Sequence, residues 1–189
     1  MSAQDSKLFV ISGPSGAGKG TLVARVRERR SNLGLTVSAT TRAPRKGEVD
    51  GVNSFFLTRE EFDRRVANGE FVEWAEVHGN CYGTLVSEVT SKLASGSSLI
   101  LEIDVQGALQ VKERFPEAVL IFIKPPSLEV LRERLVGRGT ETPETIELRM
   151  ANAADELALA DRYDDVVVND DLDRATDELV RVLDMHERI

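Results

Sequence analysis

Cysteine is nearly missing from this chain of 189 residues: Cys81 stands alone. No intramolecular disulfide can form, so the expected setting is a reducing compartment. No apolar run reaches the roughly 18 residues of a membrane-spanning helix. The segment Met1–Lys7 is polar and lacks the apolar core of a secretory signal. A basic excess is absent too. With 24 Lys and Arg against 32 Asp and Glu the net charge is −8, which disfavours a partner held through nucleic-acid phosphates. A local basic cleft stays compatible with that total. No internal repeat or low-complexity tract stands out. What remains is a soluble cytoplasmic protein, 41% hydrophobic, long enough for one domain with a sizeable core and inserted lobes. Its oligomeric state is not legible.

Against these absences stands one complete motif, Gly13-Pro14-Ser15-Gly16-Ala17-Gly18-Lys19-Gly20-Thr21. An apolar run, Leu8–Ser12, precedes it, and a helical pattern carrying Leu22, Val23 and Val26 on one face follows. Strand, Gly-rich turn and helix are the context of a phosphate-binding P-loop. The glycines let successive N–H groups curl toward an anion. The helix start adds its open donors and the positive end of its dipole. Lys19 supplies a mobile point charge for the β- and γ-phosphates. Gly20 occupies the place where a Ser or Thr usually helps hold Mg²⁺, with Thr21 next to it.

Apolar runs and helical patterns alternate along most of the chain. Strands are expected at Leu8–Ser12, Leu35–Ser38, Ser98–Asp104, Val119–Ile123 and Val166–Val168. Helices are expected from about Gly20 to Arg30, through Leu109 and Val111, after a capping Ser127, over Glu144–Leu159 and from near Asp171, the last burying Leu172, Ala175, Leu179 and Val182. Near-continuous apolar strands separated by helices indicate an α/β fold with a parallel sheet covered on both faces. Ligands then gather at the carboxyl ends of the strands, where Ser12, Ser38, Asp104 and Asn169 fall. Thr40–Thr84, rich in turns and charges, breaks the alternation and is expected to form a small inserted lobe. Val136–Thr142, with Gly137-Arg138-Gly139, is expected to form a lid joined to the helix that Pro143 begins.

Within the inserted segment lies Thr41-Arg42-Ala43-Pro44-Arg45-Lys46-Gly47-Glu48. Two guanidinium forks around a proline can clamp one phosphate bidentately, although taken alone this is also a solvated basic loop. Together with the P-loop it carries a resemblance. The stretches Val37–Arg45, Gly47-Glu48-Val49-Asp50-Gly51, Phe71-Val72-Glu73-Trp74-Ala75, Tyr82-Gly83-Thr84, Glu102-Ile103-Asp104-Val105-Gln106-Gly107, Gly137–Thr142 and Val168-Asn169-Asp170-Asp171 follow in the order found in guanylate kinases. The chain resembles that family along nearly its whole length. Gly18-Lys19-Gly20-Thr21 is similar to the P-loop ending of nucleoside monophosphate kinases generally.

The resemblance implies a P-loop core (about 1–38, 85–135 and 150–189), a GMP-binding lobe (about 39–84) and a lid (about 136–149). It implies transfer of a phosphoryl group from ATP to GMP with Mg²⁺. By the same likeness Gly13 to Thr21, with Asn169 and Asp170, hold ATP. Arg42 and Arg45 hold the GMP phosphate, Ser38, Glu73, Tyr82, Thr84 and Asp104 surround GMP, and Lys19, Arg138 and Arg149 join the phosphate arginines in catalysis. Ser54 and Cys81 stand where the family usually has tyrosines, which bears on GMP affinity rather than on transfer.

The chemistry of guanine agrees. Its adjacent N1–H and N2–H₂ donors suit an acceptor-only carboxylate such as Glu73, and a hydroxyl at Ser38 or Thr84 can donate to O6. Adenine presents an acceptor to that carboxylate and is rejected. His78 and His186 are expected to be surface or structural, Trp74 to pack beside Glu73, and Arg132 and Arg134 to lie solvated on a helix face, with Arg134 pointing toward the lid side, where it could join the lid. Two other readings stay open: a non-catalytic peptide-docking module of the same fold, and a kinase for another nucleoside monophosphate or a phosphorylated sugar.

Overall fold

The computed structural model describes residues 6–77, 79–137 and 142–187. In chain order the elements are β1 (Leu8–Ser12), α1 (Lys19–Arg29), β2 (Gly34–Leu35), β3 (Ala39–Thr40), β4 (Phe55–Phe56), α2 (Arg59–Ala67), β5 (Phe71–Val77), β6 (Asn80–Leu85), α3 (Val86–Ala94), β7 (Leu99–Glu102), α4 (Val105–Arg114), β8 (Val119–Lys124), α5 (Leu128–Gly137), α6 (Pro143–Leu157), β9 (Asp165–Val168) and α7 (Leu172–Glu187). Two sheets result. The first has the order β2-β7-β1-β8-β9, and every pair in it is parallel. The second, β4-β3-β6-β5, is mixed.

The alternation of side chains along a strand explains why the core strands are apolar throughout. Phe9, Ile11, Ile100, Ile121 and Ile123 face α1 and α7, where Leu22, Val26, Leu179 and Leu183 meet them. Leu8, Val10, Leu99, Leu101, Leu120 and Phe122 face the other way, toward Val89 of α3 and Val105, Ala108 and Val111 of α4. Both faces are dry, as a parallel sheet requires. The second sheet has its own small core of Ala39, Phe62, Phe71, Cys81 and Leu85. Leu131, Leu135 and Ala153 join α5 to α6. Among the described residues no helix is long and apolar enough to cross a membrane.

Several boundaries differ from expectation for identifiable reasons. The second strand was expected over Leu35–Ser38, but β2 ends at Leu35, because the Val37 N–H goes to the Glu88 carboxylate at 2.9 Å instead of to a strand. Asp104 does not extend β7. It caps α4, its Oδ1 accepting from the Gly107 N–H at 2.8 Å. Trp74 is 41% exposed, touching Phe62 edge-on instead of packing beside Glu73. Along α7, Leu183 is fully buried while Val182 is only partly so. Ser127 does start α5, its Oγ accepting from the Val130 N–H at 3.2 Å.

Helices α1 and α7, which leave the two nucleotide-side loops, are also tied by charge. Arg30 is 13% exposed and reaches Asp184 at 2.8 Å and Glu187 at 2.5 Å. Arg25 meets Asp173 at 3.4 Å with both side chains largely in solvent. Removing a shielded arginine strands its carboxylates, at about 1–3 kcal/mol, whereas an exposed pair is worth about 0–1 kcal/mol. Arg30→Met is therefore expected to lose about 1–3 kcal/mol in urea unfolding and Arg25→Met under about 1; equal losses would contradict this account of the α1–α7 contact.

Candidate active site

The Gly-rich turn closes over the carboxyl end of β1. Gly13 has φ 141°, and a Cβ there would lie 2.2 Å from the Ile123 carbonyl oxygen. Gly18, the N-cap of α1, has φ 91°, and its Cβ would fall 2.4 Å from Nδ2 of Asn169. That amide donates to the Ala17 carbonyl at 2.8 Å from a buried position. Asn169, just after β9, thus holds the turn from the far side of the sheet. No side chain caps α1, so its start is left to receive an anion. Lys19 curls over the loop, donating to the carbonyls of Gly13 at 2.6 Å and Pro14 at 3.2 Å. Arg149 of α6 donates to the Ser15 hydroxyl at 2.6 Å.

A cavity of about 240 Å³ opens against this turn, lined by Ser15, Lys19, Thr21 and Glu102 among others. Burial pushes the Glu102 carboxyl up, with Lys19 pulling it back. Glu156 of α6 behaves likewise, with Asp104 adding to the upward push. On the other flank a cavity of about 510 Å³ is lined by Gly18, Arg134, Asn169 and Asp170. Arg134 donates from Nη2 to the Asn169 carbonyl at 2.8 Å, while its buried Nη1 has no hydrogen-bond partner among the described residues. Sequence reasoning assigned no role to Glu102 and placed Arg134 toward the lid side, not on the Asn169 flank. A carboxylate closing a core strand beside a P-loop was the available signal for Glu102. The Arg134–Asn169 contact gave none, since its partner is a backbone carbonyl 35 residues away.

The second sheet supplies the other half. Glu73 of β5 pairs in register with Thr84 of β6, and the Thr84 hydroxyl donates to Glu73 Oε1 at 2.7 Å. Glu73 is 9% exposed and Thr84 fully buried. Burial first, then the Asp104 charge, raise the Glu73 pKa, and the Thr84 hydrogen bond opposes them. The two carboxylates converge on the start of α4: a Cβ on Gly107 would lie 3.5 Å from Glu73 Oε2 and 3.6 Å from Asp104 Oδ1. Ser38, one step beyond the Ala39–Gly83 pair, is exposed on the crossing between the sheets.

The arginine loop is ordered around an acid. Glu48 accepts both arms of the Arg42 fork, at 3.0 and 3.1 Å, and the Arg45 N–H at 2.6 Å. The guanidinium holds Glu48 below the usual carboxylate range, and Glu48, with Tyr82 nearby, raises Arg42. The Arg45 side chain is exposed. Ser54 donates to its neighbour's carbonyl, that of Asn53, at 2.8 Å. His186 is structural, meeting Asp165 at 2.6 Å, and Arg132 pairs with Glu147. Arg138 and His78 lie outside the described residues.

A cradle for nucleotide phosphates, together with a buried carboxylate acceptor on the second sheet and a second loop able to grip an anion, places the chain among P-loop kinases of small nucleotides. Comparison with known proteins narrows the class. The guanylate kinase family model matches residues 5–186. The guanylate kinase of Gloeobacter violaceus is 56% identical over 94% of this chain and 87% of its own length. That of Halalkalibacterium halodurans is 51% identical over 97% and 90%. The crystal structure of guanylate kinase from Anaplasma phagocytophilum superposes with a TM-score of 0.72 at 37% identity, covering 96% of this chain and 86% of that one. The chain belongs to the guanylate kinase family.

Gly18→Ala tests the geometry of the turn directly. A left-handed backbone costs an ordinary residue about 1–2 kcal/mol, and the new methyl displaces the Asn169 amide. The variant is expected to lose at least that much in urea unfolding; stability within about 0.5 kcal/mol of the parent, the range of neutral surface changes, would contradict the cap.

Proposed function

We propose that this chain transfers the γ-phosphoryl group of ATP to GMP, giving ADP and GDP. The observation that carries the choice of acceptor is the buried Glu73 carboxylate with Thr84 donating to it. Its oxygens take the two adjacent guanine donors, and hydroxyls of Ser38 and Thr84 serve O6. A buried site built for those donors leaves adenine's acceptor facing a carboxylate, a mismatch that discriminates strongly.

Phosphoryl transfer asks for position and neutralised charge more than for covalent help. Lys19 exchanges the Gly13 and Pro14 carbonyls for ATP phosphate oxygens. Arg149, already at the P-loop through Ser15, is placed to neutralise the transferring group, and by family likeness Arg138 acts with it. The Arg42 fork shows by its grip on Glu48 that it takes a planar anion two-handed; the GMP phosphate is held there, with Arg45. Gly13 to Thr21 cradle the ATP phosphates, and Arg134, Asn169 and Asp170 flank the cavity on the adenosine side. Tyr82 and Asp104 border GMP.

The residues also suit Mg²⁺. A hard cation takes oxygen ligands and keeps waters when it binds nucleotide phosphates. Glu102 puts a carboxylate 3.6 Å from where a Cβ on Gly20 would stand, inside the phosphate cavity with Thr21. Bound with ATP, Mg²⁺ neutralises charge on the phosphates. The lone buried Cys81 and the lack of a described membrane-spanning helix support a cytoplasmic location.

The test is a coupled assay over a panel of nucleoside monophosphates with ATP and Mg²⁺. GMP is expected to be preferred over AMP by orders of magnitude; no turnover would favour the peptide-docking module, and a preference for another acceptor would overturn the assignment of the base. Glu73→Gln presents donors to donors, at about 1–3 kcal/mol. It is expected to raise KM for GMP roughly five- to a hundredfold while KM for ATP stays put.

A further inference from the structure

Between the two sheets the chain crosses twice. The outward crossing is residues 36–38, from β2 to β3, and the return runs from β6 straight into α3. On the outward crossing the Thr36 N–H still reaches the core, at Ile100, 3.4 Å away. The Ser38 carbonyl already belongs to the second sheet, accepting from the Phe55 N–H at 2.9 Å. Val37 lies between, with no strand partner for its N–H. A side chain of α3 meets that need. Glu88, 9% exposed, accepts the Val37 N–H at 2.9 Å and is paired with Lys92 at 2.5 Å. The Lys92 ammonium in turn donates to the Leu35 carbonyl at 2.8 Å. The two residues, one helical turn apart, clip the strand on both sides of Thr36.

Helix α3 is anchored in the core, Val89 packing with Leu99 and Leu101. It is also the continuation of the strand that carries Tyr82 and Thr84. We infer that Glu88, clamped by Lys92, is a positioning residue for the acceptor nucleotide: it holds Ser38 at a set distance from Thr84 by fastening both crossings to one helix. The inference rests on the assignment of Ser38 and Thr84 to the guanine pocket. Its physical content is a backbone donor that would otherwise lack a partner at the junction, satisfied by an ionised acceptor, the stronger kind of hydrogen bond. Freed, residues 36–38 sample more conformations, and GMP must order them on binding. The clip's described bonds join Glu88 and Lys92 to Val37, Leu35 and each other, so ATP should not notice.

Steady-state kinetics on four variants tests this. Glu88→Ala is expected to raise KM for GMP about three- to tenfold, the share of one charge-assisted bond that reaches the ligand, with kcat and KM for ATP within about twofold. Glu88→Gln keeps an oxygen for the Val37 N–H and should stay within about twofold of the parent. Ser38→Ala should itself raise KM for GMP, and adding Glu88→Ala to it should add little, because Glu88 acts through Ser38. Should Glu88→Ala fail to fold, Lys92→Met removes the Leu35 tie from an accessible position and should raise KM for GMP about three- to fivefold, outside that twofold band. An unchanged GMP KM in Glu88→Ala (or in Lys92→Met where that variant stands in), an equal rise for ATP, or full additivity with Ser38→Ala overturns the positioning role. An unchanged GMP KM in Ser38→Ala overturns the placement of Ser38 in the pocket, and the reason for the clip goes with it.

Discussion

One buried carboxylate organises this molecule. Glu73 sits almost out of water, and its direct hydrogen bond is to a hydroxyl, that of Thr84, rather than to a cation. A charge in that position is unfavourable, and the raised pKa expresses it. The surroundings are shaped to keep it there all the same. β5 shifts register between Phe71 and Glu73, which turns the side chain inward. Gly83 lets the neighbouring strand approach: a Cβ there would be 2.7 Å from the Glu73 carbonyl oxygen. Gly107 opens the start of α4 on the other side. Such a residue is poor for stability and well suited to a ligand that arrives with two donors.

The other half of the machinery follows the opposite logic. At the P-loop and the arginine loop the protein concentrates donors and cations and occupies them with its own acceptors. Lys19 rests on backbone carbonyls, Arg149 on Ser15 and Arg42 on Glu48. Each is a contact that a phosphate can replace with a stronger one. Like-charged groups are thereby kept in place before the substrate comes, so less ordering is left for the binding step.

Much of this architecture is legible in the amino-acid sequence. The P-loop and the apolar strands are local patterns, and β1, β7, β8 and β9 lie close to where the spacing put them. Asn169 and Asp104 were placed at strand ends from the sequence, but their work was not: one clamps Ala17 across the sheet and the other caps a helix. The truncation of β2 was hidden because the cause, Glu88, lies 51 residues away. The Arg134–Asn169 contact escaped for the same reason, and Glu102 because a polar residue closing a strand has several ordinary explanations. Short-range periodicity reports what a segment buries; it is silent on which distant backbone group a side chain will reach.

The central claim is that guanine is read by a carboxylate whose pKa is raised by burial. Guanine donors favour the ionised form, so binding must lower that pKa, and any proton Glu73 carries must leave. Calorimetric titration of GMP into the protein, run in two buffers of different ionisation enthalpy, counts it. The account predicts that the parent releases more protons than Glu73→Gln, by an amount that fades as pH rises past the raised pKa; identical proton counts for the two proteins across the acidic range would contradict it.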